Sequence, residues 1–98
     1  MILSNEPGFY QEGQFGIRTE NLLVVQPAQV PDEGNIKTLY EFETLTYVPI
    51  DLRMVISEML SEPERIWLNS YHQNCREKIS HRLSDNSKLW LEQATRPV

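Results

Sequence analysis

The stretches Leu3-Ser4-Asn5-Glu6-Pro7-Gly8-Phe9-Tyr10 and Gly16-Ile17-Arg18-Thr19-Glu20-Asn21 decide how the first half of this chain is read. Between Glu6 and Glu20 lie a Pro-Gly step and two further glycines, Gly13 and Gly16. That spacing predicts a β-hairpin in which paired residues have numbers that sum to 26, with Gly13 at the apex. Glu6 then opposes Glu20, and Gly8 opposes Arg18. Directly opposed residues of an antiparallel pair carry Cβ atoms roughly 4.5–5.5 Å apart on one face. Two carboxylates at that range repel unless a proton or a cation lies between them. Hard divalent ions suit such oxygens. Solvated surface glutamates give the same pattern, so spacing alone leaves both readings open.

Working outward, residues 1–50 read as β structure. Pro7 cannot donate to a ladder and biases Glu6 toward an extended conformation. Residues 9–16, with their glycines, read as a long hairpin loop. Residues 17–25 form the clearest strand, with Leu22-Leu23-Val24-Val25 expected to be buried on both faces. Residues 26–36 hold Pro27, Pro31, Asp32, Glu33 and Gly34 and read as an exposed loop. Residues 38–48 are rich in Thr, Tyr and Phe and predict a third strand, which Pro49 stops.

Residues 51–98 change period. Ser61-Glu62-Pro63-Glu64 has the form of a capping box, with Pro in the first turn. Trp67, Tyr71, Cys75 and Ile79 recur every fourth residue, with Leu68 and Leu83 beside them, which predicts an amphipathic helix to about Arg82. A break at Ser84-Asp85-Asn86-Ser87 precedes a short helix with Leu89, Trp90, Leu91 and Ala94, ended by Pro97. Residues 51–60 read as a short helix or an irregular crossing. The fold class is α+β: a small antiparallel sheet followed by helices.

Composition narrows the function classes. The net charge of −5 falls in residues 1–50, where seven acids face only Arg18 and Lys37; residues 51–98 hold seven acids and seven bases. An acidic first half argues against a nucleic-acid surface. The longest apolar run is Leu22 to Val25, far too short to span a membrane. The N-terminus has no basic region followed by an apolar stretch, so no signal peptide is expected. One cysteine, Cys75, gives no intrachain disulfide and fits a reducing, cytoplasmic setting.

The Asn-Glu-Pro-Gly segment followed by Gly-Ile-Arg-x-Glu-Asn resembles the tail of the pita-bread metallopeptidases. More narrowly, the chain is similar to Xaa-Pro aminopeptidase (aminopeptidase P). Phe42-Glu43-Thr44-Leu45-Thr46, Val48-Pro49-Ile50-Asp51, Trp67-Leu68-Asn69, Tyr71-His72 and Trp90-Leu91 extend the likeness over nearly the whole length. The resemblance implies a partial pita-bread catalytic core over 1–50 and a C-terminal helical extension over 51–98. It implies a hydrolase that removes the residue ahead of proline from a peptide N-terminus. Two divalent ions, typically Mn²⁺, would be held by two Asp, one His and two Glu.

Only Glu6 and Glu20 match that ligand set. The upstream Asp, Asp and His, and the family's catalytic His, have no counterpart here, so the isolated chain is expected to be inactive. The resemblance makes Glu20 the residue that bridges the metals. It makes Glu6 a metal ligand and the acid/base for the attacking water. Arg18, two residues before Glu20, would share its face and orient its carboxylate, or serve only as a cross-strand ion pair. Tyr10, four after Glu6, would hydrogen-bond near the substrate or simply pack. Thr19 stands where the family more often has an aliphatic residue; it is β-branched, so pairing should survive. Glu43 falls in a family segment near the site. His72, His81, Cys75, Trp67, Tyr71 and Trp90 read as structural or solvated. A homo-oligomer is expected, because the helical extension contributes dimer contacts in relatives and cut strand edges invite association. A non-catalytic interaction module is the alternative.

Overall fold

A computed structural model describes residues 1–29 and 39–98 of the chain. Within it the chain forms two compact units, Met1–Thr46 and Tyr47–Val98.

The first unit is all β. Its strands are β1 (Ile2–Asn5), β2 (Gly8–Gln11), β3 (Phe15–Arg18), β4 (Asn21–Pro27) and β5 (Tyr40–Thr44). β1, β4 and β5 make a three-stranded antiparallel sheet in that spatial order, and β2 pairs with β3. The pairing Asn5↔Asn21 and Gly8↔Arg18 is the register expected from the sequence. The two pairs of strands are thus one hairpin interrupted at Pro7. Thr19 N–H donates to the Pro7 carbonyl (3.1 Å), but Pro7 has no N–H to return the bond. One rung is missing there, and the ladder splits into two sheets.

Residues 9–16 are mostly strand rather than loop. The connection is only Glu12–Gly13–Gln14, closed by Gln14 N–H donating to the Gln11 carbonyl (3.0 Å), and Gly13 takes φ +73° at the turn's third position. The expected strand over 17–25 is broken at Thr19 and Glu20, and Leu22–Val25 are half-buried rather than buried. β5 is shorter than expected and ends at Thr44; the Thr46 side chain continues the pairing by accepting the Leu22 N–H (2.9 Å). The loop expected over 26–36 and the start of the third strand at 38 fall largely outside the described residues. Of that loop, Gln26 and Pro27 belong to β4.

The second unit is helical. Two 3-10 turns, Leu52–Met54 and Ser57–Met59, precede α1 (Glu62–Ile79); a third, Ser80–Arg82, follows it, and α2 spans Asp85–Ala94. The capping box is complete: Ser61 Oγ accepts from Glu64 N–H (3.3 Å), and Glu64 Oε2 accepts from Ser61 N–H (2.9 Å). The expected break at 84–87 is instead the start of α2, with Ser84 at its N-cap. The buried stripe of α1 is Leu68, Tyr71, His72 and Cys75: the expected Tyr71, Cys75 and flanking Leu68, with His72 added while Trp67 is exposed and Ile79 only half-buried. Trp67 is half exposed and stacks on Tyr71, ring centroids 5.4 Å apart. Leu52, Leu91 and Thr95 complete the core. The C-terminal residues clip back onto α1: Val98 N–H donates to Asn69 Oδ1 (2.9 Å) and Asn69 Nδ2 donates to the Val98 carbonyl (3.3 Å).

Candidate functional site

The hairpin sorts its residues by parity. Side chains alternate along a strand and directly opposed residues share a face. The register therefore puts Gly8, Tyr10, Gly16 and Arg18 on one face; Glu6 and Glu20 have the same parity and lie between the two ladders. Phe9, Phe15 and Ile17 lie on the other, where the two phenylalanine rings sit 5.9 Å apart. Glu6 and Glu20 flank the missing rung, just outside the regular ladder. The Pro7–Thr19 pair beside them is joined by the Thr19 N–H, so continued alternation would make Glu6 and Glu20 an unbonded pair.

Arg18 organises this face. Its Nε lies 3.2 Å from Glu20 Oε2 in an ion pair. Glu20 first, then the Tyr10 hydroxyl within hydrogen-bonding reach, then Glu6, raise the guanidinium above its ordinary pKa. Of the four residues picked out from the sequence, Glu6, Tyr10 and Glu20 therefore each lie within electrostatic reach of Arg18. The pair is open to water, with side-chain exposures of 52% for Arg18 and 38% for Glu20.

Carboxylates are the donors a hard divalent ion takes, yet such an ion wants about six oxygens. No group of three or more His, Cys, Asp and Glu able to hold a metal occurs among the described residues. Glu6 and Glu20 are thus donors of the right kind and too few in number to close a site.

The remaining candidates stand elsewhere. Glu43 opposes Val24, four residues along β4 from Glu20. Glu41, opposite Gln26, accepts from its amide at 3.0 Å. His72 is fully buried and structural: its Nε2 accepts the Ile50 N–H at 3.0 Å. Cys75 has no exposed surface, and burial pushes its thiol pKa up, which makes it inert. Tyr71 donates its hydroxyl to the Val48 carbonyl (2.8 Å), and burial pushes its pKa up to about 12. His81 is exposed. The sequence reading missed the parts played by Gly8 and Gly16. Their signal was positional, since both fall on the parity of Tyr10.

The family described as the C-terminal region of peptidase M24 matches residues 38–98, more than half of the chain. The chain belongs to that family. The match begins after the hairpin, whose likeness rests on individual relatives. Aminopeptidase P2 of Arabidopsis thaliana is 46% identical over 99 residues, spanning all of this chain and 14% of the relative. The probable Xaa-Pro aminopeptidase P of Coprinopsis cinerea is 38% identical over 100 residues, again across the whole chain and 16% of the relative. Among solved structures, the X-prolyl aminopeptidase of Caenorhabditis elegans, a cytosolic enzyme with a di-nuclear active site, superposes with a TM-score of 0.82 at 34% identity. That match covers 99% of this chain and 16% of the nematode enzyme. The M24 chain described here thus spans about a sixth of the length of such relatives.

Proposed function

We propose that this chain serves as the C-terminal piece of a metal-dependent Xaa-Pro aminopeptidase, giving Glu6 and Glu20 to a two-metal site completed by residues outside these 98. The observation that supports this most is the common register on either side of the two glutamates, Asn5↔Asn21 and Gly8↔Arg18, with Arg18 ion-paired to Glu20, in a chain similar over its whole length to aminopeptidases P. In this reading residues 1–50 are the end of the catalytic domain and residues 51–98 a helical extension. Glu20 and Glu6 would hold the ions, Glu20 as the ligand shared between them, and Glu6 would also serve as the acid/base for the attacking water. Bound ions, Mn²⁺ in this proposal, would supply Lewis-acid chemistry to that water and to the peptide carbonyl. The substrates are peptides with proline second, and the setting is cytoplasmic, as it is for the nematode enzyme.

Calorimetry tests the ligand roles. Mn²⁺ is titrated into the metal-free chain and into Glu6→Ala/Glu20→Ala. The chain alone should bind weakly or not at all, and should not hydrolyse an Arg-Pro-Pro peptide. Robust metal-dependent cleavage by the pure 98-residue chain would sink the claim that it lacks essential ligands. In a longer protein that carries the missing ligands, Glu20→Gln should lower metal affinity by at least about tenfold, since metal-site ligands and their supports each matter on that scale. Unchanged affinity there would remove Glu20 from the ligand set.

A second reading, an interaction module without catalysis, is favoured by one observation. Phe9, Phe15, Tyr40 and Phe42 are each more than half exposed. The self-association experiment in the Discussion tests it.

A further inference from the structure

Two glycines of the hairpin have no backbone reason to be glycine. Gly13 is the one with positive φ among the described residues; Gly8 and Gly16 have ordinary strand conformations. What sets them apart is space. A Cβ on Gly16 would fall 2.6 Å from Tyr10 Cδ1, and a Cβ on Gly8 would fall 2.8 Å from Tyr10 Cε2 and its hydroxyl oxygen. Gly16 stands directly opposite Tyr10, and Gly8 lies two residues before it on the same strand. The Tyr10 ring therefore lies flat across the hairpin, its base over Gly16 and its tip over Gly8. Its hydroxyl ends beside Arg18, the cross-strand partner of Gly8.

We propose that Gly8 and Gly16 are positioning residues. The room left by their missing side chains seats the Tyr10 ring, and the seated ring pins Arg18 against Glu20. This matters because the Arg18–Glu20 pair is exposed. Such pairs contribute little by themselves and exchange rotamers freely in water. A third contact, from a side chain with only two rotatable bonds, removes that freedom at small entropic cost. Arg18 meets Glu20 at Oε2. Fixing Arg18 thus fixes the orientation of the Glu20 carboxylate. The consequence for metal binding rests on the reading of Glu6 and Glu20 as ligands; the seat itself does not.

The experiment is NMR on the 98-residue chain, following exchange of the Arg18 Nε–H with water and the Tyr10 ring signals. Gly16→Ala should speed Arg18 Nε–H exchange several-fold and shift the ring signals. Tyr10→Phe should speed the exchange to the same extent while leaving the ring seated. Gly16→Ala placed in a Tyr10→Ala background should change nothing further and should not lower the melting temperature, because the clash partner is gone. An unchanged Arg18 signal in Gly16→Ala, or a fresh loss in the double variant, would overturn the proposal. If Gly16→Ala alone does not fold, Gly8→Ala serves instead, since it meets only the far end of the ring. The Mn²⁺ titration judges the ligand reading independently, so either idea can fail while the other stands.

Discussion

At the residue scale, His72 is the group whose charge the fold forbids. It has no exposed surface, and protonating Nε2 would abolish its bond from the Ile50 N–H. Burial first, and then the nearby Arg76 guanidinium, lower its pKa from the ordinary value of 6.5. The folded chain therefore keeps the imidazole neutral at pH values where the unfolded chain takes up a proton. Below about 6.5 the unfolded state binds more protons, so stability falls as pH drops toward the folded value and is unaffected by this group above it. The melting temperature should be lower at pH 5 than at pH 7.5, and His72→Leu should flatten that difference. The same variant should cost about 1–3 kcal/mol at neutral pH, because the Ile50 N–H loses its acceptor. A pH response that survives His72→Leu would point to another group. Asp51 is not that group. Bonds from the Arg53 side chain and backbone hold its carboxyl at about 2, so its stabilising effect is lost only as pH falls from the usual carboxylate range toward 2.

At the element scale, the cap of α1 carries a clear expectation. Ser61→Ala removes one half of the capping box and leaves the Glu64 N–H without its acceptor. It should destabilise by about 1 kcal/mol, a fall of roughly 4–8 °C in melting temperature for a domain of this size. A melt unchanged within error would mean that the first turn frays already. This cap was legible in the sequence because every partner lies within four residues. The hairpin register was legible for the same reason, since Gly13 marks the apex and parity does the rest. The strands β2 and β3 were not. Gly8 and Gly16 read as loop residues, whereas their absent side chains make room for Tyr10, a reason that only three dimensions expose. The start of α2 was misread because the polar run at 84–87 resembles a break as much as a cap with a polar first turn. On α1 the stripe was read with Trp67 in it and His72 left out because His72 counted as polar, although Leu68, His72 and Cys75 follow helical spacing. Of the candidate site, the shared parity of Arg18 with Gly8 and Tyr10 could be read from the hairpin count, but the Arg18–Glu20 ion pair needed the folded chain.

At the scale of the whole molecule, the three-stranded sheet leaves β1 and β5 with one neighbour each among the described strands. Ile2, Phe9, Phe15, Tyr40 and Phe42 are all more than half exposed. Unpaired strand edges beside apolar surface promote pairing with another chain. The chain should therefore sediment or scatter above its monomer mass of 11.5 kDa and dissociate on dilution. Charged substitutions at Phe9 and Phe42 should shift it toward monomer. A sharp monomer at high concentration would remove the support for the interaction reading and leave the enzyme-piece reading untouched.

The hairpin is also a ruler. Six residues separate Glu6 from Gly13, and six separate Gly13 from Glu20. That equality of arms, rather than any contact between the glutamates, gives them matching positions in the hairpin count. One residue gained or lost in a single arm would slide the partner along and turn its side chain to the opposite face, unless a bulge absorbed it. Extra residues at the tip, around Glu12–Gln14, would leave the two arms in step. Lineages that keep this pair should vary in length at the tip and hold the arms constant.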